Sequence, residues 1–121
     1  MALAIFLVVA GRHDEALEES RRAVAQRPQS AFVHEAHGSI CTMIGRYDDA
    51  VAACREAVRI RPEIGAYFSS LGNALAQKGD PAGAEVAHRE AVRLKPTAQT
   101  YANLANALLA LGRTPDALAA A

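Results

Sequence analysis

Pro28, Pro62 and Pro96 stand 34 residues apart, and small residues keep the same step: Gly11, Gly45 and Gly79; Ala16, Ala50 and Ala84; Ala23, Ala57 and Ala91. A fixed period of this size makes each unit one supersecondary element, which buries its apolar face only by stacking on its neighbours. Such a chain works through surfaces rather than through an enclosed pocket. The last step shrinks to 33, from Gly79 to Gly112 and from Ala84 to Ala117. The shortening falls between Pro96 and Leu104, in a connecting turn. Inside a helix it would rotate every later side chain about 100° off its face, whereas a turn absorbs it.

Within each unit the pattern reads helix, turn, helix. Ala31 to Ile44 is a first helix, Gly45-Arg46 a turn and Tyr47 to Ile60 a second helix, closed by Pro62, which cannot continue it. The next unit repeats this from Ile64, with Asp80 as N-cap and Pro81 at the first helical position, a pairing matched by Thr114-Pro115. Acids gather early in the second helices (Asp14, Glu15, Asp48, Asp49) and bases late (Arg59, Arg61, Arg93, Lys95), which complements the helix macrodipole. The expected fold is therefore all-α, a solenoid in one array over 1–121. It has a truncated first repeat at 1–30, complete repeats at 31–64 and 65–97, and a partial fourth at 98–121.

Composition agrees. Hydrophobic residues make up 51% of the chain but aromatics only 5%, with no Trp, which suits closely packed helices rather than a sheet. The formal net charge is zero, so electrostatics favours neither nucleic acid nor a membrane surface as a partner. Met1 to Ala10 is apolar but lacks a basic leader and a small-residue cleavage site, and a bilayer span needs about 20 residues. Leu3, Ala4 and Leu7 fall where Leu71, Gly72 and Leu75 fall two units on, so the segment reads as a first-repeat helix, and a cytoplasmic location is expected.

Leu71-Gly72 in a first helix, Gly79 in the turn, Ala84 and Ala91 down the second helix and a closing Pro96 together resemble the tetratricopeptide repeat, over the whole chain. The departures are mild. His37 stands for the usual leucine, Ala4 and Ala105 for the glycine, and His34, Phe68 and Tyr101 occupy the early aromatic place. The resemblance implies a right-handed superhelix whose first helices line a concave groove and whose second helices form the outer wall. It also implies which places line the groove: Glu35 and Ser39 in the second repeat; Ser69, Ser70, Asn73 and Gln77 in the third; Gln99, Asn103 and Asn106 in the fourth. Phe32, Met43 and Leu109 share that lining, but small and neutral polar side chains dominate it. A carboxamide offers both donor and acceptor, so Asn73, Asn103 and Asn106 are suited to hold the backbone of an extended peptide. The expected partner is a protein or peptide.

Family members that grip a C-terminal carboxylate do so with Lys and Arg. The matching places here carry Glu35, Ala36, Ser69, Ser70, Ala102 and Asn103, so that use is not expected. A second alternative is the substrate-recruiting arm of a larger enzyme such as a Ser/Thr glycosyltransferase, whose arrays have asparagine-lined grooves. A third is a self-association module, because neither end carries a polar capping helix and Ile5, Val8 and Val9 leave an apolar patch at the first helix.

Other constellations are weaker. Arg21, Arg55 and Arg89 recur at one place in the second helices, and Arg27, Arg61 and Lys95 at another. With zero net charge and no interleaved aromatics these read as a solvated face tied by Glu18 with Arg22, Glu56 with Arg59 and Glu90 with Arg93. His34, His37 and Cys41 share one helix face, and Cys54 comes from the partner helix, a ligand set that suits zinc. The preferred reading is a polar variant of ordinary core positions, with no metal and no disulfide. No nucleophile elbow, phosphate-cradling loop or convergent carboxylate pair appears, so neither an enzyme nor a cofactor is expected.

Overall fold

A computed structural model describes residues 2–112. It contains seven helices in that range: α1 (Ala2–Val9), α2 (His13–Gln26), α3 (Ala31–Met43), α4 (Tyr47–Ile60), α5 (Gly65–Lys78), α6 (Pro81–Leu94) and α7 (Ala98–Ala110). The expected cap at Thr114-Pro115 and the short final helix from Thr114 to Ala121 lie outside the described residues. Ile44 and Ile64, read from sequence as helical, are the residues that flank α3 and α5.

Local chemistry sets these boundaries. The Ser30 hydroxyl accepts from the Val33 amide at 3.2 Å, the Asp80 carboxylate from the Gly83 amide at 3.0 Å, and Thr97 forms a reciprocal capping box with Thr100. The turns inside the hairpins share one device. Gly11, Gly45 and Gly79 adopt φ of 79°, 86° and 94°, and the next amide reaches back to a carbonyl five residues earlier: Arg12 to Leu7, Arg46 to Cys41 and Asp80 to Leu75, at 2.8, 2.8 and 2.9 Å. That is a Schellman closure, which needs a residue free to enter the left-handed region.

The periodic alanines explain the tight stacking. Ala16, Ala50, Ala57, Ala84 and Ala91 have no exposed surface, so neighbouring backbones approach over a single methyl group. Two glycines go further. A Cβ on Gly38 would lie 2.7 Å from Cys54 Sγ, and one on Gly72 would lie 2.5 Å from His88 Cε1.

The helices pack in chain order, and in addition α1 approaches α3, α3 approaches α5 and α5 approaches α7, while the backbones of α2, α4 and α6 stay apart from one another. A stack whose first helices crowd together while its second helices stand apart bends toward the first helices. The inner face is thus formed by α3, α5 and α7, and outward clefts open between successive second helices.

Candidate binding groove

The curvature gathers five of the nine expected groove residues into two shallow hollows. Between α3 and α5 lie Ser39, Thr42, Met43, Ser70 and Asn73. Between α5 and α7, a hollow of about 360 Å³ is edged by Asn73, Asn103 and Asn106, walled by alanines and lined by His88. Asn73 borders both. Ser69 is half-buried and Gln77 exposed on α5, and these two, with Glu35 on α3 and Gln99 on α7, line neither hollow.

Hydrogen bonding divides the groove residues into two kinds. Glu35 Oε1 accepts from the Ser39 hydroxyl at 3.1 Å and from the Ser70 hydroxyl at 2.8 Å, so these three tie α3 to α5. Gln99 donates to Asn103 Oδ1 at 2.9 Å, which leaves the Asn103 amide group to point elsewhere. Ser69, Asn73, Gln77 and Asn106 form no side-chain hydrogen bond among the described residues. Phe32, Met43 and Leu109 are largely exposed on the same helices, so the face is more amphipathic than its polar residues alone suggest.

Neither hollow is lined by a Lys or Arg. His88, only 3% exposed, has its pKa lowered by burial and is neutral at pH 7; its Nδ1 has no hydrogen-bond partner. In the sequence His88 stands out only as the counterpart of Cys54. The signal that places it in the groove is the glycine one hairpin partner away, because Gly72 leaves room for a ring that an alanine would displace.

The His and Cys residues of the second repeat go to separate partners. His34 Nε2 donates to the Pro28 carbonyl at 2.8 Å. His37 Nδ1 shares a short hydrogen bond with the hydroxyl of Ser20, a fully buried residue of α2, and its Nε2 lies 3.7 Å from Cys41 Sγ. Cys54 packs beneath Gly38. Burial pushes the Cys41 and Cys54 thiols up to about 11 and about 12, so neither is an activated nucleophile at neutral pH. Among the described residues no His, Cys, Asp and Glu group is arranged to hold a metal ion.

On the outer wall, Arg22 pairs with Glu18 at 3.4 Å, Arg59 with Glu56 and Arg93 with Glu90, all exposed and individually worth little. At the first helix the exposed apolar residues are Leu3, Ile5, Phe6 and Val9, whereas Val8 packs against Ala4, Leu7, Ala16 and Ile40 and leaves the patch. Leu3 is 53% exposed while its counterpart Leu71 is 5% exposed, because no described helix covers that side of α1. No described helix is long and apolar enough to cross a membrane.

Profiles of the tetratricopeptide repeat family match residues 1–63, 44–99 and 98–121. No curated protein matches the chain in sequence. Among solved structures, a crystal structure of MamA superposes with a TM-score of 0.85 at 21% identity, over 99% of this chain and 71% of that one. A thermophilic TPR protein of Thermus thermophilus gives 0.80 at 23% identity, over 98% and 66%. MamA of AMB-1 gives 0.79 at 25% identity, over 98% and 65%. Period, glycine turns, alanine seams and inward curvature thus coincide with a match that runs the length of the chain, which belongs to the tetratricopeptide repeat family.

Proposed function

We propose that this chain is a binding scaffold whose inner face holds an extended segment of a partner protein, chiefly by its backbone. The observation that carries this is Asn73, which borders both inner hollows with its carboxamide unengaged, and faces Asn103 and Asn106 across the second. A carboxamide can meet a peptide group with a donor and an acceptor at once. Three of them along a concave face supply main-chain recognition with little demand on side-chain identity. The absence of a cation from either hollow argues against a carboxylate clamp, and the exposed Phe32, Met43 and Leu109 add apolar contact along the same face. The Glu35 tie to Ser39 and Ser70 keeps α3 and α5 in register beneath the segment.

Replacing Asn73→Ala and Asn103→Ala together removes two such contacts and is expected to weaken binding by about 1 to 3 kcal/mol. Calorimetric titration with a peptide shown by competition to occupy the inner face measures it. An unchanged dissociation constant rejects the reading.

A further inference from the structure

Because the second helices stand apart, the outer wall carries a cleft over α3 and another over α5. The two occupy equivalent places 34 residues apart; both carry an Arg and a Glu (Arg21 and Glu56, Arg55 and Glu90), but the residues between these differ in chemistry. The cleft between α2 and α4, about 280 Å³, is lined by His34, His37, Asp49 and Ala52. The cleft between α4 and α6, about 570 Å³, has Phe68, Leu71, Gly83 and Val86 at those positions, with Val58 and Leu75 added. Phe68 holds the early aromatic place of the repeat and serves the stack, whereas Val86 stands where the other cleft has only Ala52. Val86 is 69% exposed, and Phe68 is only half-buried. Val86 and Phe68 thus carry the apolar floor of Leu71 and Leu75 out to solvent as one contiguous patch.

The rim adds a charge. Arg55 borders the cleft and has no ion pair among the described residues. The reason lies one turn earlier. Arg89, its counterpart, has Glu85 at 3.4 Å, whereas Arg55 has Val51 in that place. On the opposite rim Glu90 is already held by Arg93. The cleft therefore presents an apolar floor beside one unanswered guanidinium, whose planar fork favours a carboxylate.

We propose that the α4/α6 cleft is a second docking site on the outer wall, taking a partner segment that inserts one bulky apolar side chain against Phe68 and Val86 and lays an adjacent carboxylate on Arg55. It is independent of the inner-face reading. A phage-displayed random dodecapeptide library panned on the whole chain tests it. Enriched clones are expected to share a bulky apolar residue at constant spacing from an Asp or Glu. Val86→Glu and Arg55→Glu should each lower their binding by about tenfold, the loss typical of one well-packed anchor. Asn73→Ala with Asn103→Ala should leave it unchanged. Panning on Arg55→Glu, an exposed substitution that leaves the core intact, should replace the acid with Lys or Arg. No enriched clone, or enriched clones indifferent to both outer substitutions, overturns the proposal. So does self-association in sedimentation that Val86→Glu abolishes, since the occupant would then be a second copy.

Discussion

The joint between α2 and α3 and the joint between α4 and α5 follow one backbone plan with different chemistry. In the first, buried Ser20 meets His37, and Cys41 lies against the ring. One repeat later the same three positions hold Cys54, Leu71 and Leu75, members of a single apolar cluster. The alanine and glycine seams set how the helices approach; the residues at the joint decide what holds them there. An apolar joint gains in proportion to buried area and tolerates small shifts, whereas a polar joint depends on one directional contact that leaves a costly orphan if broken.

The largest test strikes the apolar joint. Leu71→Ala should destabilise the chain by about 2 to 5 kcal/mol in urea unfolding, as lost burial plus a cavity that the rigid stack closes poorly. A loss under about 1 kcal/mol would mean that the joint is loosely packed and the contrast unfounded.

Next comes a transplant. His37→Leu alone leaves the Ser20 hydroxyl buried without its partner and should cost about 1 to 3 kcal/mol. Adding Ser20→Cys reproduces the second joint in the first and should recover most of that loss. Equal stability of the single and double variants would show that Ser20 and His37 do not act as a pair.

The smallest effect is in pH. Burial, reinforced by Arg21 and His34 and opposed by Asp49, lowers the pKa of His37 below 6.5, and burial lowers that of His88. A base held below its unfolded pKa binds fewer protons folded than unfolded, so stability is full above the unfolded value and falls as pH drops through it toward the folded pKa. Thermal melts should therefore show Tm declining below about pH 6.5. The decline should be shallower in the Ser20→Cys/His37→Leu variant, where only His88 remains. The same slope in both proteins would remove His37 from the account.

Much of the fold was legible because its signals are local. Proline stops, turn glycines and capping side chains act within a few residues, so α4 spans the residues that its pattern marks and Asp80 caps α6 as read. The groove residues were legible as positions but not as contacts. Nothing within Glu35, Ser39 or Ser70 announces a shared hydrogen bond, because the third residue belongs to the next repeat. Spacing along one hairpin groups His37 with His34, Cys41 and Cys54, yet its partner is Ser20, from the hairpin before. The clue was available in the repeat itself: Ser20 stands one period before Cys54, at a place where a hydroxyl needs a mate.

The recurring glycine turn has a mechanical consequence. Gly11, Gly45 and Gly79 share one left-handed geometry and one closure, so the chain takes the same path through each of these turns. Shape then is not adjusted at the turns. Any change in the pitch of the array, whether by substitution or by an occupant of the groove, has to be taken up where one hairpin leans on the next. Residues 20 and 37, or 54 and 71, are therefore the set-screws of this spring, and the turns are its fixed links.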